Sequence, residues 1–274
     1  MIVLVTGANG MLGQDLCPIL EDEGFDVIET DINSLDITDN EQAEEVIKEN
    51  KPDYIIHCAA YTNVDGAEDD KEKAFEINEL GTKNLAEICK KYNITLVYIS
   101  TDYVFDGTKK EKYTPDDMPN PINIYGKSKL AGEKAVETLC DKYYIARTSW
   151  LYGHHGKNFV ETMISLKDKE ELKVVDDQTG CPTWTVELAN GIVSLIEDEA
   201  PFGIYHICGS GQTTWYGFAK KIFEICNFKV NLKPCTTNEF PRKAKRPKYS
   251  VMENNKICQN WELALMEYID LRCE

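Results

Sequence analysis

Along the first 150 residues, short apolar runs alternate with longer segments whose apolar positions recur at helical spacing. IVLVT (2–6) opens the series, a helical pattern covers 11–23, and DVIET (26–30) follows. Asp39 is placed to cap a helix running through Asn50, because its carboxylate can accept the free N–H groups of a first turn. YIIHCA (54–59) comes next, then a charged helical pattern over about 70–92 and the run TLVYIS (95–100). An irregular Asp-, Pro- and Asn-rich segment and a further helix precede YYIARTS (143–149). Strands that are apolar almost throughout must be covered on both faces, and the intervening helices supply that cover. The pattern predicts an α/β fold: a Rossmann-like, doubly wound parallel sheet in residues 1–150.

Beyond Trp150 the rhythm loosens. Helical patterns at 158–168, 185–198 and 215–226 are separated by turn-rich stretches such as DDQTGCPTW and ICGSGQTTW. Residues 151–274 are expected to form a smaller substrate-binding lobe, with some elements returning to the first domain.

Composition narrows the partners. The formal net charge of −17 argues against nucleic acid and anionic membrane surfaces, both of which need a basic protein face. No apolar run approaches the ~20 residues that span a bilayer. Met1 leads straight into the first strand, so a cytoplasmic protein without a secretory leader is expected. Ten scattered cysteines without a C-x-x-C spacing read as small core hydrophobes, and the pair His154-His155 lacks a zinc-ligand spacing. No metal site is assigned.

Two stretches carry chemistry. TGANGMLG places Gly7, Gly10 and Gly13 between the first strand and first helix, with Met11 and Leu12 opening that helix. Such a turn lets a pyrophosphate approach the backbone, where the helix N–H groups meet it. Asp31, at the end of the second strand, suits a ribose 2′-hydroxyl and so favours NADH, since it would repel a 2′-phosphate. Asp36 is a candidate for the adenine end, with Ile37 packing on the ring; the plain alternative is a helix-capping loop. NIYGKSKLAGE (123–133) is the second stretch. It sets Tyr125 and Lys129 one turn apart on a helix, where the ammonium should lower the pKa of an exposed phenol. A solvated surface pair is the bland reading of that spacing.

With GxxGxxG and YxxxK in one chain, the sequence resembles the extended short-chain dehydrogenase/reductases. AAYTNVDGAE (59–68), EINELGTKNLA (76–86), YISTDYVFDG (98–107), RTSWLYG (147–153), DDQTGCPT (176–183), QTTWYGFA (212–219) and KRPKYS (245–250) extend the resemblance over nearly the whole chain. Together they look like the dTDP-4-dehydrorhamnose reductase family. The resemblance implies transfer of a hydride from NADPH or NADH to the 4-keto carbon of a dTDP-linked deoxysugar, giving dTDP-L-rhamnose for cell-surface polysaccharide. It makes Tyr125 the proton donor, Lys129 the holder of the nicotinamide ribose, and Thr101 a hydrogen-bond donor to the keto oxygen. Tyr125 and Lys129 thereby join the cofactor-binding set. Asp102 and Trp150 would hold the sugar, Ala60, Tyr61 and Thr62 would line the cofactor channel, and Asn78 would belong either to a proton relay or to core hydrogen bonding. The basic segment 241–250 suggests Arg246 as a ligand for the substrate diphosphate.

Some relatives form a magnesium-linked dimer through acids that are not matched here, since Asp15 is short and Glu187 aligns ambiguously. Mg2+ is therefore left without ligands, and monomer and homodimer both stay open. Relatives commonly use NADPH, against the simple reading of Asp31. The alternatives are an epimerase or dehydratase, disfavoured because Tyr103 stands where a dehydratase needs an acid, and a non-catalytic protein like the regulatory β subunit of methionine adenosyltransferase.

Overall fold

Six parallel strands form the central sheet, in the spatial order Asp26–Thr30, Ile2–Thr6, Tyr54–His57, Thr95–Thr101, Tyr143–Thr148 and Gly203–His206. The computed structural model describes residues 1–254 and 258–272, and Cys273 lies outside the described residues. Five of the strands coincide with the apolar runs of the first half. The sixth, Gly203–His206, comes from the second half and pairs with Tyr143–Thr148.

The period-two alternation of the strands decides which helix covers which face. Val3 and Val5 pack against Leu12, Leu16 and Leu20 of the helix Met11–Asp22, and against Leu188, Ile192 and Ile196 of the helix Thr185–Glu197. Leu4 points the other way, into a cluster with Ala43, Ile47, Leu85 and Ile88. Each fully buried Leu or Ile contributes about 1.5–3 kcal/mol, so both faces are firmly held. Cys17, Cys258 and Cys89 sit in these two clusters as buried thiols.

The helical segment expected over 70–92 is longer and broken. Asn63 caps an earlier helix, Val64–Asp69, by accepting from the Gly66 N–H at 2.9 Å. Lys71–Phe75 follows, then a single π-helical turn, Glu76–Gly81, and then Thr82–Tyr92. The wide turn carries Asn78, whose side chain binds the backbone N–H and carbonyl of Tyr61 and the Ser128 hydroxyl.

The second lobe has its own core of Val160, Ile164, Phe218, Ile222, Leu265 and Ile269. A parallel pair, Glu171–Val175 with Asn231–Cys235, lies on it. Its last helix, Trp261–Arg272, has no clear signature in the sequence, because Leu263, Met266 and Leu271 are exposed and blur the apolar stripe. No helix among the described residues is long and apolar enough to cross a membrane.

Candidate active site

The sheet order reverses between Ile2–Thr6 and Tyr54–His57, and the loops leaving these two strands open a crevice at their carboxyl ends. That is where open α/β sheets bind ligands. Gly7 has φ of +67° and lies so close to Ala59 that a side-chain Cβ would stand 2.8 Å from that backbone. A Cβ on Gly13 would come within 2.5 Å of Ala8, so only glycine lets the helix sit this near the strand. The helix begins at Gly10 with no side-chain cap, leaving its first N–H groups for an outside partner.

A cleft of about 970 Å3 runs from this turn to the second lobe. Gly7, Gly10, Met11, Leu12 and Gly13 line one end, with Asp31, Asp36 and Ile37 beyond them. Asp31 accepts from the Ile32 N–H at 2.6 Å. Asp36 is tied into its own loop by the Thr38 hydroxyl and N–H, which hold its carboxyl below the usual range. Ala60 and Thr62 line the middle, but Tyr61 does not; its ring lies by Gly66 while its backbone is held by Asn78. Asn78 itself is 1 % exposed and does not reach the cleft, so core hydrogen bonding is what it does here.

The helix Ile124–Leu139 delivers Tyr125 and Lys129 to the other wall. Asn123 caps it, accepting from the Gly126 N–H at 2.7 Å and donating to the Lys245 carbonyl at 2.8 Å. A Cβ on Gly126 would fall 2.1 Å from the Tyr103 carbonyl, so glycine is needed for this close approach. Tyr125 then lies edge-on to Tyr103, centroids 5.7 Å apart, with the Thr101 hydroxyl in hydrogen-bonding reach.

The expected electrostatics of this pair are corrected by the structure. Tyr125 is not an exposed phenol; burial pushes it up to about 12, and the Thr101 hydrogen bond only partly offsets that. Lys129 sits 4.1 Å above the ring of Tyr98, and burial pushes it down to about 7 against the opposing charge of Glu133. In sequence the two residues are one turn apart, but desolvation outweighs their mutual effect. Asp102 is likewise buried, and desolvation pushes its carboxyl up to about 6 against hydrogen bonds from Ser250 and Thr101.

At the second-lobe end, Trp150 has φ of +47°, a conformation rare for a bulky residue that its surroundings must hold in place. Its ring stacks on Trp215 with centroids 3.5 Å apart, and both rings line the cleft. Trp215 and Lys157 are cleft residues that sequence reading missed. QTTWYGFA was visible as a motif, but nothing local ties it to Trp150. Arg246 stands behind the cleft wall, its guanidinium bidentate on Asp65 at 2.9 and 3.1 Å and hydrogen-bonded to Tyr103, which lines the cleft. Asp15 bonds the Thr185 hydroxyl and faces His155, while Glu187 accepts from Gln259. Among the described residues no group of three His, Cys, Asp or Glu is arranged to hold a metal ion.

A glycine turn at a sheet switch point, an acid on the second strand and a Thr, Tyr and Lys facing the same cleft define an NAD(P)H-dependent oxidoreductase of the extended short-chain type. The family model described as the RmlD substrate binding domain matches residues 1–270. A dTDP-4-dehydrorhamnose reductase from Clostridium acetobutylicum has the same fold, with a TM-score of 0.97 and 46% identity over 100% of both chains. The enzyme of that name from Bacillus anthracis, solved in complex with NADP, gives 0.95 and 45% over 98% of this chain and 99% of that one. A dTDP-4-keto-6-deoxy-D-glucose reductase from Streptomyces niveus is 41% identical over 91% of this chain and 87% of its own length. The chain belongs to the dTDP-4-dehydrorhamnose reductase family.

Proposed function

We propose that the protein reduces the 4-keto group of dTDP-4-dehydro-L-rhamnose to give dTDP-L-rhamnose, using NADPH or NADH. The observation that carries this reading is the convergence of Thr101, Tyr125 and Lys129 on the cleft that begins at the glycine turn. The cradle suits a dinucleotide, with close backbone at Gly7, uncapped N–H groups at the helix start and Asp31 at the far strand end.

The nicotinamide, when bound, supplies the hydride. Thr101 donates a hydrogen bond to the keto oxygen and keeps it next to Tyr125. Tyr125 gives its phenolic proton to that oxygen as negative charge develops there. A phenol is protonated at neutral pH in any case, and burial, which raises its pKa, leaves the phenolate dependent on a neighbouring cation. Lys129, one turn along, stabilises the phenolate left behind when it carries its proton, and its ammonium can reach ribose hydroxyls. Asp102 and Trp150 hold the sugar, Trp150 through the part of its indole that the stacked Trp215 leaves open to the cleft. Tyr103 rather than a carboxylate follows Asp102, which leaves the site without the additional acid a dehydratase would use.

The test is direct. The purified protein is given dTDP-4-dehydro-6-deoxy-L-mannose, and loss of NADPH or NADH absorbance is followed together with formation of the reduced sugar nucleotide. Absence of turnover with both cofactors, in protein shown to bind one of them, would sink the proposal.

A further inference from the structure

Three lysines line the cleft: Lys73, Lys129 and Lys157. Lys73 is engaged with Glu76 at 3.0 Å, and Lys129 is buried against Tyr98 beside Tyr125. Lys157 has no carboxylate partner among the described residues. It sits on the short loop that follows Leu151–Tyr152 and leads into the helix Phe159–Ser165.

This loop is fixed, and it is fixed to the dinucleotide turn. The Gly153 carbonyl accepts from Asn158 at 2.7 Å and from the Tyr268 hydroxyl at 3.0 Å. Asn158 caps the following helix through the Glu161 N–H at 3.0 Å. His155 lies 3.4 Å from Asp15, which belongs to the helix Met11–Asp22. At Gly156, with φ of +78°, a Cβ would stand 4.0 Å from that of Met11. The second lobe therefore lays the backbone just before Lys157 over the first turn of the helix whose N–H groups are uncapped.

Charge decides what such a lysine is for. The chain carries −17, and Asp31 and Asp36 line the same cleft, so a dinucleotide diphosphate approaches a negative surface. The helix start offers only partial charge. A full cation opposite it offsets the repulsion, and Lys157 is the cleft lysine neither paired nor buried. We infer that Lys157 clamps the diphosphate of the nicotinamide cofactor against the start of the helix Met11–Asp22. The cofactor would then be held between the two lobes, not by the first alone. This inference rests on the reductase reading above.

The experiment compares wild type with Lys157→Met and Lys157→Arg by calorimetric titration of NADP+, 2′-AMP and dTDP. Lys157→Met should weaken NADP+ about tenfold, which corresponds to about 1.4 kcal/mol. Lys157→Arg should recover most of that affinity. 2′-AMP, which has a 2′-phosphate but no diphosphate, should bind the variants as it binds wild type, and dTDP should do the same. Unchanged NADP+ affinity in Lys157→Met would overturn the clamp. So would a loss confined to dTDP, which would move the lysine to the substrate's diphosphate, or an equal loss for 2′-AMP, which would move it to the ribose phosphate. Failure of wild type to bind either nicotinamide dinucleotide would overturn the reductase reading and the clamp together. Retained dTDP affinity in Lys157→Met reports that the variant is folded.

Discussion

Tyr125 reaches the cleft with its phenol desolvated and only the Thr101 hydroxyl pulling its pKa down, and in the proposed mechanism it is the protonated donor. Tyr125→Phe removes that proton and almost no contact area. It should lower kcat by about 10²–10⁴ while NADP+ affinity stays nearly unchanged. Single-turnover kinetics alongside a cofactor titration check this, and near wild-type turnover would take Tyr125 out of the mechanism. The glycine turn, Asp31, Tyr125 and Lys129 were legible as cleft residues because each signal is local: one strand-to-helix turn, one strand end and one helical turn. Trp215 and Lys157 were not, because they enter the cleft only when the second lobe folds back over the first. Arg246 was read as a phosphate ligand from local charge; its pairing with Asp65, 181 positions away, could not be read there.

The helix Ile124–Leu139 holds its place through a polar group at its centre. Glu133 is 0 % exposed and accepts from Arg147 at 2.9 and 2.7 Å and from Ser100 at 2.5 Å. This ties the helix that carries Tyr125 and Lys129 to the strands Thr95–Thr101 and Tyr143–Thr148. Arg147→Met would leave a buried carboxylate without its counter-charge and should cost about 3–5 kcal/mol, whereas combining it with Glu133→Leu should recover most of the loss. Urea unfolding of the single and double variants measures both quantities. A double variant no more stable than Arg147→Met would show that the pair's neighbours, not the unpaired charge, set the cost. At this scale the first half of the fold was legible because most of its strands are largely apolar and its helices amphipathic. The break at Glu76–Gly81 was hidden, since the contacts around Asn78 that accompany it come from Tyr61 and Ser128. The helix Trp261–Arg272 escaped because apolar residues stand on its outer side too.

Across the whole molecule, two cores meet at one cleft, and a ligand that touches both should stabilise both. NADP+ at 100 times its Kd should add about 2.7 kcal/mol. At about 2–4 °C per kcal/mol for chains of this order of size, that is a rise in Tm of roughly 5–11 °C, read by differential scanning calorimetry. No rise at that saturation would show that the cofactor does not select the folded state. The sheet's sixth strand has a further consequence, one of timing. Tyr143–Thr148 gains its neighbour on one side only when Gly203–His206 arrives. During synthesis at ~5–20 residues per second, the unfinished sheet carries a bare strand edge for roughly 3–12 s. Through that interval it can pair with the equivalent edge of another nascent chain. The length of the second lobe's intervening segment thus sets how long that edge stays open to a wrong partner.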